Sequence, residues 1–117
     1  MPITNVLASV AVQDLDIAIP WYEKLLGKVS ARPMRELAEW HFVGGGSLQV
    51  YELSSRAGLG SFTLAVDSVD QEAERLGDLD VKIGDRTASD RVKTLMLTDP
   101  DGNHIAFAEA LDLQLAR

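Results

Sequence analysis

The sequence predicts an α+β fold made of two similar halves, and a near-repeat is the main reason. The segment AVQDLD at residues 11–16 returns as AVDSVD at residues 65–70. Each copy ends a stretch of alternating apolar residues and begins a helical pattern, which indicates a strand followed by a helix. Three more strand patterns follow in each half. At 117 residues the chain is expected to form one domain, 1–117, with a first module at about 1–55 and a second at about 59–117.

The first module is expected to begin with a strand at 7–12, followed by a helix. Asp14 or Asp16 supplies the cap of this helix, and Gly27 ends it. Pro20 is tolerated only within the first turn, because its ring removes a backbone hydrogen-bond donor. We therefore expect the helix to begin late.

A weak strand and a hairpin are expected to complete the first module. The predicted strands cover about 29–35, 40–43 and 48–53. The glycine run at 44–46 joins the last two strands. If these glycines form the whole turn, Val43 pairs with Ser47, and His41 lies opposite Gln49.

The second module is expected to repeat this order. Ser68, followed three positions later by Gln71, is a capping-box pattern that predicts a helix from Ser68 to about Leu76. The predicted strands cover 62–66, 81–83, 92–98 and 104–109. A polar loop is expected at 84–91, and the string DPDGN at 99–103 predicts the turn of the last hairpin.

Composition limits the classes of function. The formal net charge of −7 argues against a nucleic acid partner, because binding to phosphate needs clustered Lys and Arg. No apolar run is long enough to cross a bilayer, so no membrane partner is expected. The sequence contains no cysteine, which excludes disulfides and thiolate chemistry. A cytoplasmic protein is the resulting expectation.

The joint order of four motifs resembles a known superfamily. The motifs are V-x-D-L-D-x-A at 12–18, W-Y-x-x-L-L-G at 21–27, the second repeat copy AVDSVD and the DPDGN turn. Together they are similar to the vicinal-oxygen-chelate superfamily, which includes glyoxalase I, the extradiol dioxygenases and the bleomycin-resistance proteins. The resemblance covers nearly the whole chain. It implies paired βαβββ modules whose mixed sheets curve around a cleft.

The resemblance also implies where a divalent metal would be held. The ligand positions of the superfamily fall on Leu7, Gln49, Ser61 and Ala106. Of these, Gln49 is the plausible ligand, and a single neutral amide does not offset the cost of removing water from a divalent ion. We therefore expect no metal cofactor. This favours metal-free binding of a small molecule, such as a toxic compound or an antibiotic that is sequestered.

Strand alternation selects the side chains that would contact a ligand. Those on the cleft side are His41, Gln49, Tyr51, Ser61 and His104. Each has a structural alternative, such as a solvated strand residue or a dimer contact. His41 and His104 are also the candidates for a catalytic general base near neutral pH.

Three functions are consistent with these residues. The first is a metal-free binding protein, expected to be a homodimer with a small-molecule ligand. The second is a glyoxalase-like lyase or isomerase, or a dioxygenase, that uses displaced metal ligands or a histidine base. The third is a regulatory module with a vestigial cleft. The fold alone does not choose among them.

Overall fold

The structure is a computed structural model that describes residues 2–112. These residues form two compact units. The first unit contains the residues up to Gly60 together with Pro100–Asn103, and the second contains Ser61–Asp99 together with the residues from His104 onward. Within the described range each unit has one α-helix and one four-stranded mixed sheet. The predicted α+β class, with a strand, a helix and three strands in each half, is therefore confirmed.

The first unit follows the predicted order. Its elements are β1 (Leu7–Val12), α1 (Leu15–Leu26), β2 (Ala31–Met34), β3 (Leu37–His41) and β4 (Ser47–Glu52), followed by a 3₁₀ turn at Ser54–Arg56. The strand order in the sheet is β1-β4-β3-β2. Strand β1 runs parallel to β4, whereas β3 is antiparallel to both of its neighbours.

Helix α1 begins earlier than its proline suggests. The Asp14 carboxylate caps the helix by accepting hydrogen bonds from the amides of Asp16 (3.0 Å) and Ile17 (3.4 Å). The amide of Leu15 donates to a carboxylate oxygen of Glu52 at 2.9 Å. The prediction of a late start was wrong because these acceptors satisfy the first-turn amides before the chain reaches Pro20, which lies inside the helix.

The core of the first unit lies between α1 and one face of the sheet. The Trp40 ring is buried against Tyr22, with the ring centroids 5.9 Å apart, and its Nε1 donates to the Gly27 carbonyl at 2.9 Å. Alternate residues of β1, β3 and β4 are buried on the same side. These are Val10, Val12, Ala38, Leu48 and Val50. These residues alternate with the side chains of the opposite face, as strand geometry requires, and Phe42 lies beyond the end of β3.

The second unit repeats this architecture. Its elements are β5 (Ser61–Ala65), α2 (Val69–Asp78), β6 (Arg86–Ala88), β7 (Val92–Thr98) and β8 (His104–Ala110), with the strand order β5-β8-β7-β6. The predicted strand at 81–83 is not present. Val81 instead donates its amide to the Leu76 carbonyl at 2.9 Å and buries its side chain, so it closes the end of α2. The strand lies at Arg86–Ala88, inside the segment predicted to be a polar loop.

Both helices are capped in the same way. Ser68 Oγ accepts the amide of Gln71 at 3.1 Å, which confirms the predicted cap of α2. A carboxylate oxygen of Glu109 accepts the amide of Val69 at 2.9 Å, as Glu52 does for α1. The last strand of each sheet is thereby tied to the start of its own helix. Neither helix in residues 2–112 has the length and apolar character needed to cross a bilayer.

The DPDGN turn belongs largely to the first unit. The Asn103 side chain is fully buried; its Oδ1 accepts the amide of Gly60 at 2.9 Å and its Nδ2 donates to the Ala11 carbonyl at 2.8 Å. Gly58 has a φ of +82°, and a Cβ there would lie 2.2 Å from the Asp101 carbonyl oxygen. The close approach of these two segments therefore requires glycine at this position.

Candidate functional site

The sheet of the first unit has a second face, directed away from α1, which we call the open face. Its side chains come from alternate positions of β1, β3 and β4: Leu7, Ser9, Ala11, Leu37, Glu39, His41, Ser47, Gln49 and Tyr51. Ala11 is buried, whereas the others are partly or fully accessible. This face therefore presents chemically varied side chains on a rigid frame.

Four of these side chains form a continuous hydrogen-bonded row across three strands. The hydroxyl of Ser9 donates to Gln49 Oε1 at 3.0 Å, and Gln49 Nε2 donates to Glu39 Oε2 at 2.7 Å. The other carboxylate oxygen of Glu39 lies 3.1 Å from His41 Nε2. We call Ser9, Gln49, Glu39 and His41 the polar row. It is the candidate functional site of the first unit.

The pairing that creates the polar row differs from the predicted one. Glu39 lies opposite Gln49, and His41 lies opposite Ser47, so the prediction that His41 faces Gln49 was wrong. The hairpin turn is longer than the three glycines, because Phe42 also closes it through hydrogen bonds with Gly46 (3.0 Å) and Gly45 (2.9 Å). The register moves by two positions, which preserves the face of each side chain.

Sequence reasoning therefore missed Glu39. The strand was predicted to begin at Trp40, which left Glu39 outside it. A signal was present, because Leu37-Ala38-Glu39-Trp40-His41 alternates and places Glu39 and His41 on the same side of a strand. Alternation along β1 puts Ser9 on the same face, but its bond to Gln49 depends on the parallel pairing of β1 with β4.

Electrostatics keep Glu39 ionised. The hydrogen bond from Gln49 lowers the pKa of the Glu39 carboxyl below its ordinary value, and the hydrogen bond from His41 lowers this pKa further. An ionised carboxylate only accepts hydrogen bonds. The row can therefore offer a negative charge at neutral pH.

Tyr51 lies one step along β4 from the polar row. It pairs with Ala11 on one side and with Leu37 on the other. A small pocket of about 80 Å³ lies beside it. The residues that line this pocket are Ser9, Val10, Ala11, Tyr51, Arg56, Leu59 and Gly60. The predicted ligand contacts Gln49 and Tyr51 are thus adjacent on one face.

The remaining predicted residues belong to the second unit. Ser61 and His104 are directly paired between β5 and β8, and Ala106 pairs with Thr63. A shallow depression of about 300 Å³ lies farther along the same two strands. Its lining residues are Ala65, Val66, Asp67, Ala108, Glu109, Ala110 and Leu111. The pair Ala65–Ala108 repeats the pair Ala11–Tyr51 without the aromatic ring, so the second sheet has more free volume there.

The residues at the implied metal positions do not fit a divalent ion. Leu7 and Ala106 have no side-chain donor atom, and Ser61 offers a neutral hydroxyl. The Gln49 amide oxygen is already the acceptor for Ser9. Within the described part of the chain, no three His, Cys, Asp or Glu side chains are grouped as a metal site would require.

Comparison with known proteins gave matches among solved structures. No protein-family model and no curated protein matches the sequence. A glyoxalase/bleomycin resistance protein from Catenulispora acidiphila is 31% identical, with a TM-score of 0.83, over 91% of this chain and 97% of that one. An antibiotic-binding protein from a Streptomyces species is 26% identical, with a TM-score of 0.79, over 94% and 98% of the two chains.

A more distant structure shares the fold alone. It is a bleomycin resistance determinant encoded on the transposon Tn5, which is 15% identical to this chain. The match covers 92% of this chain and 98% of that one, with a TM-score of 0.71. The architecture is therefore preserved over nearly the full length of each matched chain.

Proposed function

Because this chain belongs to the glyoxalase/bleomycin resistance family of the vicinal-oxygen-chelate superfamily, we propose that it binds a small organic molecule without a metal ion. The ligand binds on the open face of the first sheet. The observation that carries this proposal is the polar row, in which four side chains from three strands are ordered by mutual hydrogen bonds. Ordering before binding reduces the entropy that a ligand must offset.

The donor chemistry supports a role without metal. A divalent ion at Gln49 would share the amide oxygen with the Ser9 hydroxyl, and the other three family positions supply no charged ligand. One neutral amide is a weak replacement for the water shell of such an ion. The polar row instead suits hydrogen bonding to an organic group.

The relatives suggest the class of ligand. The Streptomyces relative is described as an antibiotic-binding protein, and the Tn5 relative as a bleomycin resistance determinant. We propose that this chain likewise sequesters an antibiotic or another toxic compound. Metal-free bleomycin is the first probe for the test.

Metal analysis and ligand titration test the proposal together. We expect protein purified without chelator to contain far less than one equivalent of zinc, nickel, manganese or iron. We expect bleomycin to shift the NMR signals of Ser9, Glu39 and Gln49. A tightly held stoichiometric metal would contradict metal-free binding, and shifts confined to the second unit would move the site away from the polar row.

A metal-independent enzyme is the second candidate, and the contact between Glu39 and His41 favours it. A carboxylate at 3.1 Å from Nε2 fixes the ring and leaves Nδ1 as a base. His104 supplies the equivalent candidate in the second unit. Turnover of 2-oxoaldehyde–thiol adducts or catechols that falls in His41→Ala or His104→Ala would support this function, whereas turnover unchanged in both would exclude it.

We also propose that the protein is a cytoplasmic homodimer. Several large apolar side chains are exposed, among them Val6, Val43 and Leu59, at 79%, 112% and 81% of full accessibility. Apolar surface of this kind is often covered by a partner subunit. Light scattering coupled to size-exclusion chromatography would give the mass of a dimer, and a monomer mass at micromolar concentration would contradict the proposal.

A further inference from the structure

The charge of Glu39 determines the direction of every hydrogen bond in the polar row. Since an ionised carboxylate cannot donate, the atom of Gln49 that faces Glu39 must be the amide nitrogen, as observed. The amide oxygen then faces Ser9, so the Ser9 hydroxyl must donate its hydrogen to it. Neutral His41 must likewise carry its hydrogen on Nε2, the atom that faces Glu39.

This arrangement uses most of the row's hydrogen-bond donors within the row, whereas several of its acceptors have no partner among residues 2–112. The Ser9 hydroxyl and the Nε2–H of neutral His41 are both committed, and one of the two Gln49 amide hydrogens is committed to Glu39. The unused capacity is the Ser9 oxygen lone pairs, the remaining lone pairs of Glu39 and the Nδ1 of His41. One Gln49 amide hydrogen is the exception.

The residues around the polar row make its two ends electrostatically different. Leu7 and Leu37 lie in the neighbouring rows of the open face and supply apolar contact area. Arg56 lines the small pocket at the Ser9 end. A positive group would be repelled there and favoured at the opposite end, beside Glu39 and His41.

From this balance we infer that the ligand presents a cationic hydrogen-bond donor, such as an amidine, a guanidine or an amine, to Glu39. Its apolar body lies against Leu37, the neighbouring open-face residue of β3. This inference rests on the proposed binding function of the open face and specifies the chemistry that this face selects. A ligand that presents a carboxylate to Glu39 would set hydrogen-bond acceptors against acceptors, so we expect it not to bind there.

Three probes of nearly equal shape test the inference. Benzamidine is a cation with four N–H donors, benzamide is neutral, and benzoate is an anion without donors. Each is titrated into the ¹⁵N-labelled full chain at neutral pH, and binding is followed through the Gln49 side-chain amide and the backbone amides of Glu39 and His41. We expect benzamidine to shift these signals with the highest affinity and benzoate to leave them unchanged.

A charge-matched pair of variants assigns the effect to one carboxylate. Glu39→Gln should weaken benzamidine binding by about fivefold, the order expected when one accessible ion pair is lost. Glu36→Gln removes the same charge just before β3, outside the polar row, and should leave the affinity unchanged. The dispersion of each spectrum verifies that the variant is folded.

The outcomes separate this inference from the proposed function. Benzoate binding to the row as tightly as benzamidine would overturn the donor requirement, and equally tight binding of neutral benzamide would overturn the requirement for a cation. Either result would leave the open face as a binding site. Equal weakening by both variants would also overturn the inference, because the effect would then be one of net charge. If bleomycin shifts the row and none of the three probes does, the inference fails and the proposed binding function stands. If bleomycin also leaves the row unchanged, both fail.

Discussion

Asn103 connects two segments of backbone within the first unit through one buried side chain. Its amide satisfies both the N–H of Gly60 and the carbonyl of Ala11. Asn103→Ala would leave both groups without this partner. A buried orphan costs about 1–3 kcal/mol, and the half-buried Gly60 amide costs less than the buried Ala11 carbonyl. We therefore expect urea denaturation to show a free energy of unfolding lower by about 2–4 kcal/mol.

The control for this variant is Asn5→Ala. Asn5 donates to the Gly45 carbonyl at 2.6 Å in an exposed setting, where water can replace the lost bond. Its expected effect is below about 1 kcal/mol. Equal effects of the two substitutions would contradict the role assigned to Asn103.

Alanine substitutions at two glycines should change the free energy of unfolding in opposite directions. Gly58→Ala combines a positive φ with a Cβ that would overlap the Asp101 carbonyl, so it should lower the free energy of unfolding by about 1–3 kcal/mol. Gly77 lies in α2, where an added methyl group would meet no described atom beyond its own helix within 4 Å. Gly77→Ala should raise the free energy of unfolding by about 0.5–1 kcal/mol.

Thermal and urea unfolding of both glycine variants provide the measurement. Because the same chemical change is made in each, the difference isolates backbone conformation and local space. A Gly58→Ala variant as stable as the parent would show that the segments near Gly58 and Asp101 separate at no cost.

At the scale of elements, Asp70 links α2 to two strands. Its carboxylate contacts Lys93 of β7 at 3.0 Å and also contacts Arg86 of β6. The hydrogen bond and charge of Lys93, followed by the charge of Arg86, hold the pKa of Asp70 below its ordinary value. The contact therefore stabilises the fold while the carboxylate is ionised.

The dependence on pH follows from that direction. The unfolded chain has an ordinary Asp pKa of about 3.9, so the contribution is fully present above that value. It is lost as the pH falls through the lower pKa of the folded state. Urea midpoints should show Asp70→Asn less stable than the parent at pH 7, with a gap that narrows below pH ~4.

Glu74→Gln is the matched control, since it removes a charge from the exposed side of the same helix. Its stability difference from the parent should be small at pH 7. A gap for Asp70→Asn that widens as the solution is acidified would contradict the linkage.

The clearest strand and helix predictions came from strong local patterns. The hairpin of β7 and β8 alternates buried and accessible residues along much of its length, which makes its bounds readable. Strand β6 has three exposed residues, Arg86–Ala88, and no apolar period to reveal it. It forms because an edge of β7 is available for pairing, which is a tertiary cause.

The candidate site was predictable in part for the same reason. Alternation placed His41, Gln49 and Tyr51 on one face, because parity is a local property of a strand. Which residue lies opposite Gln49 depends on the length of the turn, and the glycine run did not show that Phe42 takes part in it. The alternation of residues 37–41 could have placed Glu39 on this face, whereas its pairing with Gln49 required the three-dimensional register.

At the scale of the whole molecule, the repeat explains the fold better than it explains the ligand. Both units use the same order of elements and the same carboxylate cap from the last strand. The corresponding faces of the two sheets have diverged. The first sheet has a charged, hydrogen-bonded row there, whereas the second has Ala65, Ala106 and Ala108. The features that determine the fold are thus common to both units, whereas the side chains available to contact a ligand differ between them.

Strand β4 separates these two tasks by a period of two. Leu48, Val50 and Glu52 serve the helix, while Gln49 and Tyr51 point the other way. Substitutions in the outward set can alter what is recognised and leave the frame standing. During evolution, the ligand selectivity of such a sheet can change through single substitutions on the outward face. Each of these substitutions has little effect on the stability of the fold.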